Sequence, residues 1–430
     1  MSQTKAQLVD AVDGSIVAAD LAADCVTTDK VANSAITDAK ISGLTSSKLT
    51  GALPAISGAA LTGIASAGKA TNIVVNGSMQ VAQRLNSTTT SSTTSGYGSV
   101  DRFKCEYSGT DEATTQSQSD VASGTTPYTL GFRKAMKVQN GNQTSGAGSS
   151  DRITILHLIE AQDMANSGWN YLSASSNITF SFWVKSSVAQ NFYVRFKSAD
   201  STSQAYCFET GSLSADTWTK ITKTIPGNSN IVFNNDNGEG LEITWEIFRG
   251  TDQTGSMSLN AWAASNNNLR TPDQTSTWWT TNDATFEITG VQLEVGSQVT
   301  PFEHRSFNEE LLLCKRYFNM IGDGALGAGT AMSDGFIWNN SGTELDFMYT
   351  FPVQMRTTPS IYQVTGGNYF KILGGGLSNT TYVDGNFNIQ YASKIATSQY
   401  ATMDSSGTEG RSCHITINNT LTKYGYQAEL

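Results

Sequence analysis

The residues able to do chemistry in this chain of 430 residues are few and scattered. Histidines stand at His157, His304 and His414, and cysteines at Cys25, Cys105, Cys207, Cys314 and Cys413. No CxxC, HxxxH or HxH spacing exists among them, so no soft-metal site is legible and no metal or other cofactor is expected. A hydrolase of the nucleophile-elbow kind needs GxSxG, which is missing. His157 lies in the apolar run ITILHLIE and suits an interior or edge position. His304, in PFEHRSF, suits a structural hydrogen bond, and His414, in CHITI, reads as a strand residue with no acidic neighbour.

A glycosidase needs two facing carboxylates, which no linear motif reveals. Glu242, Glu246, Asp283, Glu303, Glu309 and Glu310 are eligible. Glu309 reads better as a helix cap and Glu310 as charge at the helix N-terminus; the others read as solvated strand faces. The chain is therefore expected not to be an enzyme. The loop NNDNGEG at Asn234–Gly240 invites a calcium ion. Aligned to an EF-hand with Gly238 in sixth place, it puts Phe233 first and Thr244 twelfth, so a tight turn is the better account.

What remains is the chemistry of aromatic rings. Sugar-binding proteins stack the apolar C–H face of a pyranose on an exposed ring, and short amides and hydroxyls satisfy its OH groups. Trp278 and Trp279 are adjacent in the polar stretch TSTWWTTND; if it is a strand, one of them faces outward. Trp262, Trp169 and Trp338 also lie among Asn, Ser and Gly. These five are the candidate carbohydrate-binding residues.

The elements that must position them follow from composition. Only 15% of residues are charged, there are 39 Gly and 7 Pro, and the formal net charge is −10. Ser, Thr, Asn and Gly with interspersed aromatics describe an all-β protein. Without a basic face, nucleic acid is not an expected partner. No run approaches the ~20 apolar residues of a membrane span, and no signal-peptide stretch opens the chain, so synthesis and folding in the cytoplasm are expected. The scattered, odd-numbered cysteines read as reduced thiols.

Residues 1–96 contain no aromatic ring. Within them, large apolar residues recur every fifth position at Ile16, Leu21, Val26, Val31, Ile36 and Ile41. Five matches neither the helical period nor the strand period. One such chain buries too little to offset an ordering entropy of ~1–2 kcal/mol per residue, whereas copies wound about one axis can pool their apolar side chains. Residues 1–70 are thus expected to form an intertwined trimeric shaft.

Residues 71–305 carry period-two runs at Ile178–Val184, Phe192–Phe196 and Ile243–Ile247. In Phe286–Val295 the alternation slips phase at Gly290, the signature of a β-bulge. A jelly-roll β-sandwich is expected here. Residues 306–320 open with a capping box, Ser306 and Glu309, and place Phe307, Leu311, Cys314 and Phe318 on one seam of a short helical neck, a second candidate trimer interface. Residues 321–430, with their glycine groups and short strand candidates, read as a C-terminal β tip.

Several segments resemble tail fibres of tailed bacteriophages, particularly phages of marine and cyanobacterial hosts. They are VQLEVGSQVTPFEHRSFNEELLLCKRYF (Val291–Phe318), VVNGSMQVAQR (Val74–Arg84), DRFK (Asp101–Lys104) and FPVQMRTTPSI (Phe351–Ile361). The shaft pieces AITDAKI (Ala35–Ile41) and KLTGALPAISGAALTGI (Lys48–Ile64) are similar to the N-terminal repeats of such fibres. The resemblance implies a homotrimer in the virion, joined to the tail or baseplate by its N-terminus. It also implies a jelly roll like a carbohydrate-binding module, and a tip that contacts lipopolysaccharide or another host-surface glycan. A polysaccharide depolymerase and a purely structural spacer are the alternative functions.

Overall fold

The computed structural model describes residues 72–85, 91–338, 341–383 and 385–430. The six shaft positions from Ile16 to Ile41 lie outside the described residues. The described residues belong to one compact unit, Ile64–Leu430, which holds two β assemblies with separate cores. No helix among them is long and apolar enough to cross a membrane.

The first assembly is a β-sandwich. Its strands are β1 (Ser91–Ser92), β2 (Phe103–Ser108), β3 (Thr115–Asp120), β4 (Lys134–Gln139), β5 (Arg152–Glu160) and β6 (Asn177–Ser186), followed by β7 (Asn191–Ser198), β8 (Gln204–Ser212), β9 (Thr219–Pro226), β10 (Glu239–Arg249), β11 (Trp262–Ala264) and β12 (Thr285–Val295). One sheet runs β1-β3-β4-β12-β6-β9 and the other β11-β8-β7-β10-β5-β2. Alternation explains the packing. Ile178, Phe180, Phe182 and Val184 of β6 point inward, as do Phe196 of β7 and Trp245 of β10. Phe180 meets Phe196 edge-on at 5.0 Å, and Phe182 meets Trp245 at 5.7 Å. Each such buried side chain contributes about 1.5–3 kcal/mol relative to exposure.

The phase slip in β12 is a bulge. Pairing with β6 breaks between Thr289 and Gln292, and Gly290 takes φ +61°. A Cβ at Gly290 would stand 2.7 Å from Cζ of Phe132, so both the backbone and the space require glycine.

Four short helices join these elements: α1 (Thr126–Thr129), α2 (Ala161–Ala165), α3 (Thr277–Thr280) and α4 (Phe307–Lys315). The expected capping box opens α4: Glu309 N–H donates to Ser306 Oγ and Ser306 N–H to Glu309 Oε2. The expected seam does not hold. The helix ends at Lys315, and Phe318 starts the next strand. Phe318 and Cys314 are sealed inside this chain, Leu311 is half-buried, and Phe307 is 53% exposed. What docks α4 is Glu310, which accepts the Asn76 N–H at 2.6 Å and pairs with Arg305 at 3.3 Å. Cys314 and Phe318 therefore cannot face another copy.

The second assembly holds β13 (Phe318–Asp323), β14 (Ala331–Ile337), β15 (Glu344–Thr350), β16 (Ser360–Val364) and β17 (Phe370–Gly374), then β18 (Thr381–Tyr382), β19 (Asn388–Ala392), β20 (Ala396–Thr402), β21 (Ser412–Ile417) and β22 (Lys423–Gln427). A three-stranded sheet, β13-β22-β16, packs against a seven-stranded one, β18-β17-β21-β14-β15-β20-β19. Leu345, Phe347, Ile372 and Ile415 of the large sheet meet Tyr424 and Tyr426 of the small one. The two assemblies are clamped together by charge. Glu429 near the C-terminus takes Arg102 at 2.5 Å and Arg84 at 3.0 Å, and Glu160 takes Arg316 at 2.7 Å.

Candidate functional site

Three of the five candidate tryptophans are buried and cannot be platforms, and a fourth is half-covered. Trp278 and Trp279 lie on helix α3, so the strand that would turn one of them outward is not formed, and both are fully buried. Their indole N–H groups donate to the carbonyls of Thr285 (3.1 Å) and Gly146 (2.7 Å), and Trp279 packs on Phe248 at 4.8 Å. Trp169 is buried beside Phe233, with its N–H on Ser176 O. Trp262 is half-buried on Tyr206 and donates to Pro226 O at 2.7 Å. In each case the polar handle of the indole meets a backbone carbonyl, the usual way to satisfy a covered indole.

Trp338 is different, being 52% exposed. It directly follows β14, and its N–H donates to Glu344 O at 2.9 Å, extending the ladder between β14 and β15. Strand alternation then places a set of residues on the side of the large sheet opposite its core. On β15, Leu345 and Phe347 point inward, so Glu344, Asp346 and Met348 point outward. Asp346 pairs in register with Phe336 of β14 on one side and Tyr400 of β20 on the other. Met348 opposes Ser398, and Tyr391 of β19 opposes Ser398 from the far side. Phe336, Trp338, Met348 and Tyr391 are all exposed large side chains. The Phe336 and Trp338 rings stand edge to face, 5.9 Å apart.

Asp346 lies at the centre of this face. It is 3% exposed, and its Oδ1 has no hydrogen-bond partner. Burial pushes its carboxyl above the usual range, and the Glu344 charge beside it adds to the shift. On the same face His414 Nδ1 lies 2.5 Å from Asp334 Oδ1, because β14 and β21 pair these residues directly. His414 thus has an acidic neighbour across the sheet, where the sequence shows none along the strand.

The other chemical candidates have structural roles. His157 is buried against Phe103 at 4.7 Å; burial and the nearby Arg102 hold its imidazole well below the ordinary range. His304 Nε2 meets Leu130 O at 2.9 Å. Glu242 and Glu246 are not solvated, as was expected, but buried on the outward side of β10. Glu242 pairs with Arg195 and Lys197, and Glu246 with Arg249. Glu303 accepts the Asn72 N–H at 2.6 Å, and Asp283 accepts from Gln139. The Asn234–Gly240 loop turns through Gly238 N–H to Asp236 Oδ1, and its Asn237 exchanges two hydrogen bonds with Arg356 across the two assemblies. Cys105, Cys207, Cys314 and Cys413 are buried free thiols. Among the described residues no three of His, Cys, Asp or Glu stand together as a metal site.

No family model and no curated protein matches the sequence. Among solved structures, a domain of the bacteriophage CBA120 tailspike protein 4, described as enzymatically active, aligns at 12% identity and TM-score 0.29, covering 52% of this chain. The chain spans only 21% of that structure's length. A Bacteroides thetaiotaomicron protein described by its sequence as sugar-binding aligns at 11% identity and TM-score 0.28, over 53% of this chain and 100% of its own. The N-terminal cellulose-binding domain of a Cellulomonas fimi glucanase aligns at 10% identity and TM-score 0.24, over 46% and 90%. At these TM-scores the alignments do not bear on what this chain does.

Proposed function

We propose that this protein is a fibre protein of a tailed bacteriophage that binds a host-surface glycan through the large sheet of its C-terminal assembly. The observation that carries the reading is the exposed Phe336–Trp338 pair beside the unpartnered Asp346. Rings offer stacking area for a pyranose, and a carboxylate on the same face of the sheet adds acceptor character for a sugar's polar groups. The five-residue apolar period of residues 16–41 supports a homotrimer, with the N-terminus attached to the phage tail and the protein part of the virion. Three linked sites on a repetitive glycan would raise avidity by ~10²–10⁴ over one.

The whole chain, applied to an array of bacterial surface polysaccharides, should be retained by at least one glycan without releasing reducing ends. Light scattering should give about three chain masses. Release of reducing ends would favour a depolymerase, and retention by no glycan would favour a structural spacer.

A further inference from the structure

The charged groups around Asp346 are all of one sign. Its neighbours along β15 are Glu344 and Met348, and its register partners are Phe336 and Tyr400. Diagonal positions on β14 hold Asp334 and Trp338, and those on β20 hold Ser398 and Thr402. No lysine or arginine occupies any of these positions. His414 is taken up by Asp334, and Lys371 stands on β17, three strands from β15. A largely buried carboxylate without a cation is costly, and its register partners Phe336 and Tyr400 are aromatic, a side-chain type whose ring face attracts cations. Phe336, Trp338 and Tyr400 share this face with Asp346 and Glu344, so aromatic rings and carboxylates, the groups that hold an ammonium, are brought together by the register of three strands.

We propose that this face selects glycans bearing a free amine, an amino sugar whose protonated nitrogen meets Asp346 while its ring stacks on Phe336 and Trp338. This rests on the glycan-binding reading above and narrows its ligand class. An acidic polysaccharide, rich in uronate or phosphate, would be repelled by Glu344 and Asp346 together. Neutral sugars keep the stacking and lose the charge-assisted bond.

The test uses the whole chain with three probes below neutral pH: glucosamine tetramer, N-acetylglucosamine tetramer and galacturonate tetramer. The glucosamine tetramer should bind at least about tenfold tighter than its acetylated form, and galacturonate should bind weakest. Asp346→Asn, close to isosteric, should remove the preference, and Glu344→Gln should reduce it, each at an unchanged melting temperature. If Asp346→Asn melts early, Glu344→Gln alone decides the matter. Equal or tighter binding of the acetylated or galacturonate tetramer overturns the amine inference and leaves glycan binding standing. Binding of none of the three overturns the inference, and the array described above then decides separately whether the chain binds glycans at all.

Discussion

Arg102 and Glu429, 327 residues apart in sequence, meet at 2.5 Å in the seam between the sandwich and the C-terminal assembly. Arg84 reaches the other oxygen of the same carboxylate at 3.0 Å, with its guanidinium 3.6 Å over the Phe318 ring. Both arginine side chains are almost wholly buried. Removing the shared carboxylate leaves buried Arg102 without an ion-pair partner and buried Arg84 with only Asp101, 4.0 Å away. Glu429→Ala is expected to cost about 3–5 kcal/mol, the range for breaking a buried pair from one side. Guanidinium unfolding measures it, and a cost below 1 kcal/mol would show that the clamp is not a stabilising element.

Protonation supplies a second prediction. His157 is neutral in the fold because burial, then the Arg102 charge, holds its imidazole well below its ordinary range. The unfolded chain takes up that proton below about pH 6.5, so stability from this group is full above that pH and falls as the pH drops. The slope is about 1.4 kcal/mol per pH unit at most. Asp101 has the opposite sign: burial raises its carboxyl to about 6, so the fold gains stability as pH falls through that value. Asp101→Asn should therefore steepen the acid loss between about pH 6 and 4, and His157→Phe should flatten it. Unfolding midpoints across pH read both slopes.

Gly290 can be tested without touching any charge. Alanine there must hold φ +61° and displace the Phe132 ring. A loss of roughly 2–4 kcal/mol is expected from the left-handed backbone and the overpacking together. Glycan retention should be unchanged once the protein is folded. A cost below 0.5 kcal/mol would mean that the bulge relaxes freely.

Where local pattern suffices, the sequence reads truly. Alternation marks β6, β7, β10 and β12 because one face of each is buried in the sandwich, and the slip at Gly290 marks the bulge. The capping box at Ser306 and Glu309 is a contact between residues three apart, so spacing alone reveals it. The TWWT segment escaped because four residues show no period, and two adjacent rings both turn inward on a single helical turn. The spacing of Phe318 fits a helix, although the chain leaves the helix after Lys315. Asp346 was missed because its surroundings depend on the register among β14, β15 and β20, segments up to 70 residues apart. Its local signal was present: in ELDFMYT, Leu345 and Phe347 alternate with Glu344, Asp346 and Met348.

Buried and exposed tryptophans should also separate in their effects. Trp278→Ala opens a large cavity in the sandwich and should cost about 3–5 kcal/mol, with no change in which glycan is retained. Trp338→Ala lies on the surface and should cost less than about 1 kcal/mol. Parallel thermal melts and array profiles of the two variants check this contrast.

The central claim is that the face around Trp338 is where glycan binds. It is tested most directly by measuring, on the glycan that the array identifies, the affinity of the Phe336→Ala/Trp338→Ala double variant against the unaltered chain, with solution mass and melting temperature as controls. A loss of at least about 30-fold with mass and melting unchanged is the expected result. Full retention of affinity in a folded double variant would contradict the account and move the binding site elsewhere.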